Sequence, residues 1–235
     1  MRRAGVVLLA VAALLPGGPA RADDKVKIVA LGDSITRGVR TGVKAEETFA
    51  ALLQADLRQE KIAAEVVNAG VGGERTDGAL ARLAKAVVAL KPRVVTVMYG
   101  TNDSYVDPGA REPRLSAEQY GANLKALIAA VRKGGAEVVL MTPPRWGDRA
   151  AKDGAGEAPN VRLEQYVKVC RAVAEQTKTP LVDHFAHWTK AAAGGTDLGE
   201  WTTDQCHPNP RGHREIVELL LPIVREALNL QTKES

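Results

Sequence analysis

The chain is 235 residues long, 45% hydrophobic and 26% charged, with 22 glycines and two cysteines. That composition excludes a disordered tail, a collagen-like repeat and a cysteine-stapled mini-protein. A formal charge of +4 invites a nucleic-acid partner, but the basic residues are scattered among acids and aromatics make up only 4%. No stacking platform is evident, and no nucleic-acid partner is expected.

Residues 1–22 carry much of the basic excess. Arg2 and Arg3 precede an apolar run over 4–15, Pro16-Gly17-Gly18-Pro19 breaks it, and Ala20-Arg21-Ala22 has the small-x-small form of a processing site. The run is too short to cross a bilayer as a helix. Residues 1–22 therefore read as a signal peptide and 23–235 as one exported domain, periplasmic or extracellular, without a transmembrane segment. Export permits disulfides. Cys170 and Cys206 are the available pair, and a bridge or two separately buried thiols both fit.

Short β-rich runs then alternate with helical ones. Strands are predicted over 25–31, 64–67, 93–99, 136–141 and 181–182, with Asp183 ending the last. Helices are predicted over 49–59, 75–90, 161–176 and 212–228. Another runs from a Ser116 N-cap, with Gln119 as its capping-box partner, to Lys133. Pro222 suggests a kink or a break in the last helix. No helix is predicted over 184–193. Strand–helix alternation of this kind implies a three-layer α/β/α domain with a parallel sheet.

In such a sheet, active residues gather beyond the carboxyl ends of the strands. Gly32-Asp33-Ser34-Ile35-Thr36, the stretch from Asn68 through Gly72-Gly73-Glu74, and Gly100-Thr101-Asn102-Asp103 follow the first three strands. Asp204-Gln205-Cys206-His207-Pro208 precedes the final helix. Ser34 is a weak nucleophile until a base takes its proton. His207 can be that base, and Asp204, three residues away, can fix its tautomer. The backbone N–H groups of Ser34 and Gly73 and the Asn102 amide can receive a developing oxyanion. His184, His187 and His213 are rivals to His207, which alone has an acid three residues earlier and a proline after it. Asp33 and Asp103 read as braces. The glycines around Gly72 lack the lysine of a P-loop, and the Cys206/His207/His213 spacing fits no zinc signature. No cofactor and no metal are expected.

These four blocks resemble those of the SGNH hydrolases, within the GDSL-type esterases and lipases. GDSIT matches the first block and assigns Ser34 as nucleophile. The stretch N-A-G-V-G-G-E-R-T resembles the second and assigns Gly73, with Gly72 one step away. G-T-N-D assigns Asn102, and D-Q-C-H-P assigns Asp204 and His207. The resemblance spans nearly the whole of 23–235. It implies a flavodoxin-like sheet of five parallel strands in order 2-1-3-4-5 and metal-independent acyl transfer to water by a carboxylic ester hydrolase. Within the family, the chain is most similar to small secreted carbohydrate O-acetylesterases. A lysophospholipase or thioesterase shares the mechanism, and a non-catalytic carbohydrate-binding module is a further alternative. Tyr105, Trp146, Trp188 and Trp201 are candidate walls of a substrate pocket or side chains packed under the loops, and Arg145 is a candidate contact to an acidic sugar or an ordinary surface arginine.

Overall fold

The computed structural model describes residues 25–230; the predicted signal peptide lies outside them. Five strands, β1 Val26–Gly32, β2 Ala64–Gly70, β3 Val94–Met98, β4 Glu137–Thr142 and β5 Leu181–Asp183, form one parallel sheet in the order β2-β1-β3-β4-β5. Helices α1 Ser34–Arg37, α2 Phe49–Gln59, α3 Thr76–Ala86, α4 Ala117–Lys133, α5 Pro159–Thr177, α6 His184–Ala193 and α7 Pro210–Leu230 connect and flank it. The expected fold class is the observed one.

Side chains alternate across the pleat, so each inner strand feeds two cores. Val29 and Leu31 of β1, Val95 and Val97 of β3, and Val138 and Leu140 of β4 pack against α3, α4 and α5 through Leu83, Leu124, Ile128, Tyr166 and Val173. Ile28 and Ala30, Val94 and Met98, and Val139 and Met141 face α2 and α7, meeting Phe49, Leu53, Leu57, Ile216, Leu220 and Val224. Burial on both faces explains why β3 and β4 are continuous apolar runs rather than alternating ones.

Register positions the site. Gly32 pairs with Gly70 on one side and with Met98 on the other, and Met98 pairs with Met141. The first three sequence blocks therefore leave the sheet side by side at its carboxyl edge. Gly32 permits this crowding, because a Cβ there would stand 2.7 Å from the Met98 carbonyl and 2.0 Å from Thr36 Oγ1.

One element differs from expectation, and in another the structure excludes one of two alternatives. Residues 184–193 are helical, with Asp183 as N-cap accepting from Ala186 N at 3.0 Å. The final helix continues through Pro222 without a break. Ile216, Val217 and Leu220 before the proline and Val224 and Ala227 after it bury one continuous face, which holds the helix together despite the missing N–H.

Candidate active site

Asp33 leaves β1 and caps the four-residue helix α1, its Oδ1 accepting from Ile35 N at 2.8 Å. This turn presents Ser34 as the first helical residue. The fourth block closes on it from the far end of the chain. Thr202 and Pro208 bridge, Thr203 N donates to His207 O at 2.8 Å, and Gly147 N donates to Gln205 O at 2.7 Å. These bonds bring His207 Nε2 to 2.9 Å from Ser34 Oγ across 173 positions of sequence.

Asp204 orients the ring from behind. Its Oδ2 and Oδ1 lie 2.9 and 3.1 Å from His207 Nδ1, and Oδ1 also accepts from the backbone N–H of His207 at 2.8 Å and of Cys206 at 3.1 Å. Burial pushes the Asp204 carboxyl up, but the His207 N–H, the His207 charge and these other bonds outweigh it and hold the group below the usual carboxylate range. An ionised carboxylate only accepts, so the Nδ1 proton stays on the ring and Nε2 is left with the lone pair that receives the Ser34 proton. Burial lowers His207 below its ordinary value against the pull of Asp204, keeping the base neutral.

Gly73 has φ +74 and open space where a Cβ would stand, whereas a Cβ on Gly72 would press to 3.3 Å from the Arg37 guanidinium. Among the described residues, neither Ser34 N–H nor Gly73 N–H has a partner. Glu74 fixes this turn: its carboxylate accepts from Arg82 Nη2 at 2.5 Å and from Tyr99 Oη at 2.6 Å. Asn102 stands opposite. Its Nδ2 donates to Asp33 Oδ2 and to Glu74 O, both at 3.2 Å, and its Oδ1 accepts from Arg114 Nη1 at 3.2 Å. Burial pushes Asp33 up to about 7, against the Ile35 N–H. Asp103 is wholly buried and takes the Thr76 N–H and hydroxyl at 2.9 and 2.6 Å, bracing the start of α3.

Ser34, Asn102 and His207 open into a cleft of about 290 Å³ that Thr101, Tyr105, Arg114, Trp146 and Cys206 complete. Tyr105 and Trp146 stack with centroids 6.3 Å apart and planes 11° apart. Reciprocal 2.9 Å bonds between the Trp146 backbone and the Asn160 amide fix that wall. Among the described residues, no three His, Cys, Asp or Glu side chains gather as a metal site.

The other pocket candidates lie elsewhere. Trp188 on α6 is 0% exposed and Trp201 is 4% exposed. They meet edge to face at 5.1 Å in a separate core with Leu198. There they support the base of the His207 loop, where Asn209 N donates to Trp201 O at 2.9 Å. Neither lines the cleft, because these large apolar rings are consumed in packing. Arg145 does not line the cleft either and is paired with Asp148. The Cys170–Cys206 bridge is not formed. Both thiols are free and buried, Cys170 on α5 in the core beside Tyr120 and Cys206 within the His207 loop, where it lines the cleft. Of the rival histidines, His184 and His213 are fully buried, and His187 pairs with Glu215 at 2.9 Å. Arg40, which donates to Asp204 Oδ2 at 2.6 Å, and Arg114 escape the sequence reading. Neither sits in a recognisable block, and Arg40 lies 164 positions from its partner.

The sequence profile of the GDSL-like lipase/acylhydrolase family matches residues 30–215. The chain belongs to that family. This GDSL-like hydrolase is 30% identical to the esterase TesA of Pseudomonas aeruginosa over 86% of its own length and 89% of the relative's. It is 31% identical to the uncharacterized lipoprotein YqeF of Bacillus subtilis over 81% of its length and 86% of the relative's. A solved acetyl xylan esterase, AlAXEase, superposes with a TM-score of 0.72 at 25% identity, covering 85% of this chain and all of that one. The GDSL-like hydrolase is a serine carboxylic ester hydrolase built on the Ser34–His207 pair.

Proposed function

We propose that this hydrolase removes short acyl groups, acetyl above all, from a carbohydrate ester. The continuous line of hydrogen bonds from Asp204 through His207 to Ser34, opening beside the Tyr105–Trp146 wall, carries the proposal. Ser34 Oγ attacks the ester carbonyl as its proton passes to His207 Nε2, and Asp204 stabilises the imidazolium. The tetrahedral oxyanion takes hydrogen bonds from Ser34 N–H, Gly73 N–H and Asn102 Nδ2. As the intermediate collapses, the leaving alcohol recovers the proton from Nε2. Water, deprotonated by the same ring, then attacks the acyl-serine and releases the acid and Ser34. An aromatic wall beside a cleft of about 290 Å³ suits a sugar ring carrying a small acyl group. The similarity to an acetyl xylan esterase points the same way.

We also place the protein outside the cytoplasm. The leader pattern in residues 1–22 supports this, as does the description of the Bacillus subtilis relative as a lipoprotein. No described helix is long and apolar enough to cross a membrane.

Acid release from a panel of acetylated glycans and esters of increasing chain length tests the reading. Acetylated glycans and acetyl esters are expected to turn over fastest, and Ser34→Ala to abolish turnover with the fold intact. A preference for long acyl chains makes the enzyme a lipase or thioesterase in practice. Near-normal activity of Ser34→Ala removes the serine mechanism, and inactivity of the wild type on every ester leaves a binding module.

A further inference from the structure

The two ends of an asparagine amide have nearly the same shape, yet only the nitrogen can donate to an oxyanion. Something must decide which end of Asn102 faces the reacting carbonyl. Arg114 Nη1 donates to Asn102 Oδ1 at 3.2 Å. A guanidinium carries donors only, so it accepts the amide oxygen as a neighbour and rejects the nitrogen. Reversing the amide would set NH₂ against the guanidinium and turn an oxygen toward Asp33 Oδ2 and the Glu74 carbonyl. Arg114 is itself held on three sides. Its Nη2 and Nε grip Asp107 at 2.6 and 3.0 Å, and its Cζ stands 5.0 Å over the Tyr105 ring. Its backbone N–H donates to Tyr105 O at 3.0 Å.

We propose that Arg114 is a positioning residue of the oxyanion hole, holding the Asn102 amide oxygen so that its nitrogen, steadied by Asp33 Oδ2 and Glu74 O, is the end that donates. The proposal rests on Asn102 as an oxyanion donor. A cation on the amide oxygen also polarises the N–H groups, making them stronger donors. That matters here because Nδ2 rests on two internal acceptors at 3.2 Å in the free protein. A strengthened donor competes better for the developing charge.

The test is a double-mutant cycle on p-nitrophenyl acetate with Asn102→Ala, Arg114→Met and the pair, reading kcat and KM separately. Methionine keeps an apolar stem against Tyr105 while removing the guanidinium. Asn102→Ala is expected to lower kcat by about 10²–10³, the usual cost of one oxyanion donor. Arg114→Met should lower kcat by about tenfold or more with KM nearly unchanged, and should cost almost nothing further in the Asn102→Ala background. Arg114→Lys, which retains a donor, should recover part of kcat, and it carries the test if Arg114→Met does not fold. Full activity of Asn102→Ala overturns the reading of Asn102 itself. An inactive Asn102→Ala beside a fully active Arg114→Met overturns the role of Arg114 alone. Equal losses in both backgrounds, or a rise in KM at constant kcat, also overturn it, as structural damage and substrate contact respectively.

Discussion

Arg40 and His207 share one carboxylate. Asp204 Oδ2 receives Arg40 Nη2 at 2.6 Å and faces His207 Nδ1 at 2.9 Å, so the acid proposed to stabilise the imidazolium is partly neutralised by a second cation. Burial lowers His207 first, Asp204 opposes it, and the charges of Arg40 and Arg37 lower it further. Catalysis needs the neutral ring, so kcat/KM should rise with pH along an acid limb whose midpoint lies below the ordinary histidine value. Arg40→Ala removes a nearby positive charge and frees Asp204, and both changes favour the protonated ring. The midpoint should therefore move up, with the plateau rate held within about threefold, as suits a partly exposed ion pair. A pH–rate profile checks this, and an unmoved or lowered midpoint defeats it. Such a pairing shows what was legible at this scale. Ser34, Gly73, Asn102, Asp204 and His207 each sit in a short block whose residue types announce chemistry. Arg40, Arg114 and the Glu74–Arg82–Tyr99 brace act only through partners that the fold delivers. Trp188 and Trp201 are ambiguous for the converse reason, since in sequence a tryptophan looks the same whether its ring lines a cleft or fills a core, and the structure selects packing.

Helix α2 shows the same contrast at the scale of elements. Its span is legible in sequence because Phe49, Leu53 and Leu57 recur at helical spacing, and the structure adds Thr48 in front as a cap. Helix α6 is not so legible. Its caps are local, but Phe185 and Trp188 form too short a pattern to separate helix from loop, and its packing partners Leu198 and Trp201 come from later in the chain. The α2 N-terminus also has a long-range cap invisible in sequence. Thr48 Oγ1 accepts from Ala51 N at 3.4 Å, while His213 Nδ1, on α7, accepts from Phe49 N at 3.2 Å. Removing the local cap with Thr48→Ala should cost about 1 kcal/mol. Urea unfolding measures that loss. With no α2 residue in the cleft, kcat should not change. A loss near zero would mean that the His213 cap alone suffices.

Across the whole molecule, the arrangement that sets the cleft at one edge of the sheet collects helix carboxyl ends at the other. Helix α5 and the 3₁₀ turn after α3 end on Lys178 and Lys91, and Lys61 follows α2, all three with positive φ of 50, 51 and 60°. Cations there oppose the negative ends of the helix dipoles, giving part of the basic composition a role inside the fold. Buried histidines on the cleft side set a second global property. Burial lowers His213 from 6.5 to about 4 and His184 to about 3, with neighbouring histidines adding to each. The native state keeps both neutral where the unfolded chain binds protons. Their contribution is complete above pH 6.5 and is lost as pH falls toward 4 and then 3. Asp33 acts oppositely. Its native value of about 7 against 3.8 gives a contribution that is full below pH 3.8 and lost as pH rises through 7. Between pH 5 and 6.5 the lowered histidines, His207 among them, therefore raise stability with pH while Asp33 lowers it. His213→Asn leaves an acceptor for the Phe49 N–H but nothing to titrate, so one contribution to the rise is removed. Urea unfolding across that interval should show stability rising less steeply with pH in His213→Asn than in the wild type. An equal rise in both would show that His213 is not the group whose burial the fold pays for in acid.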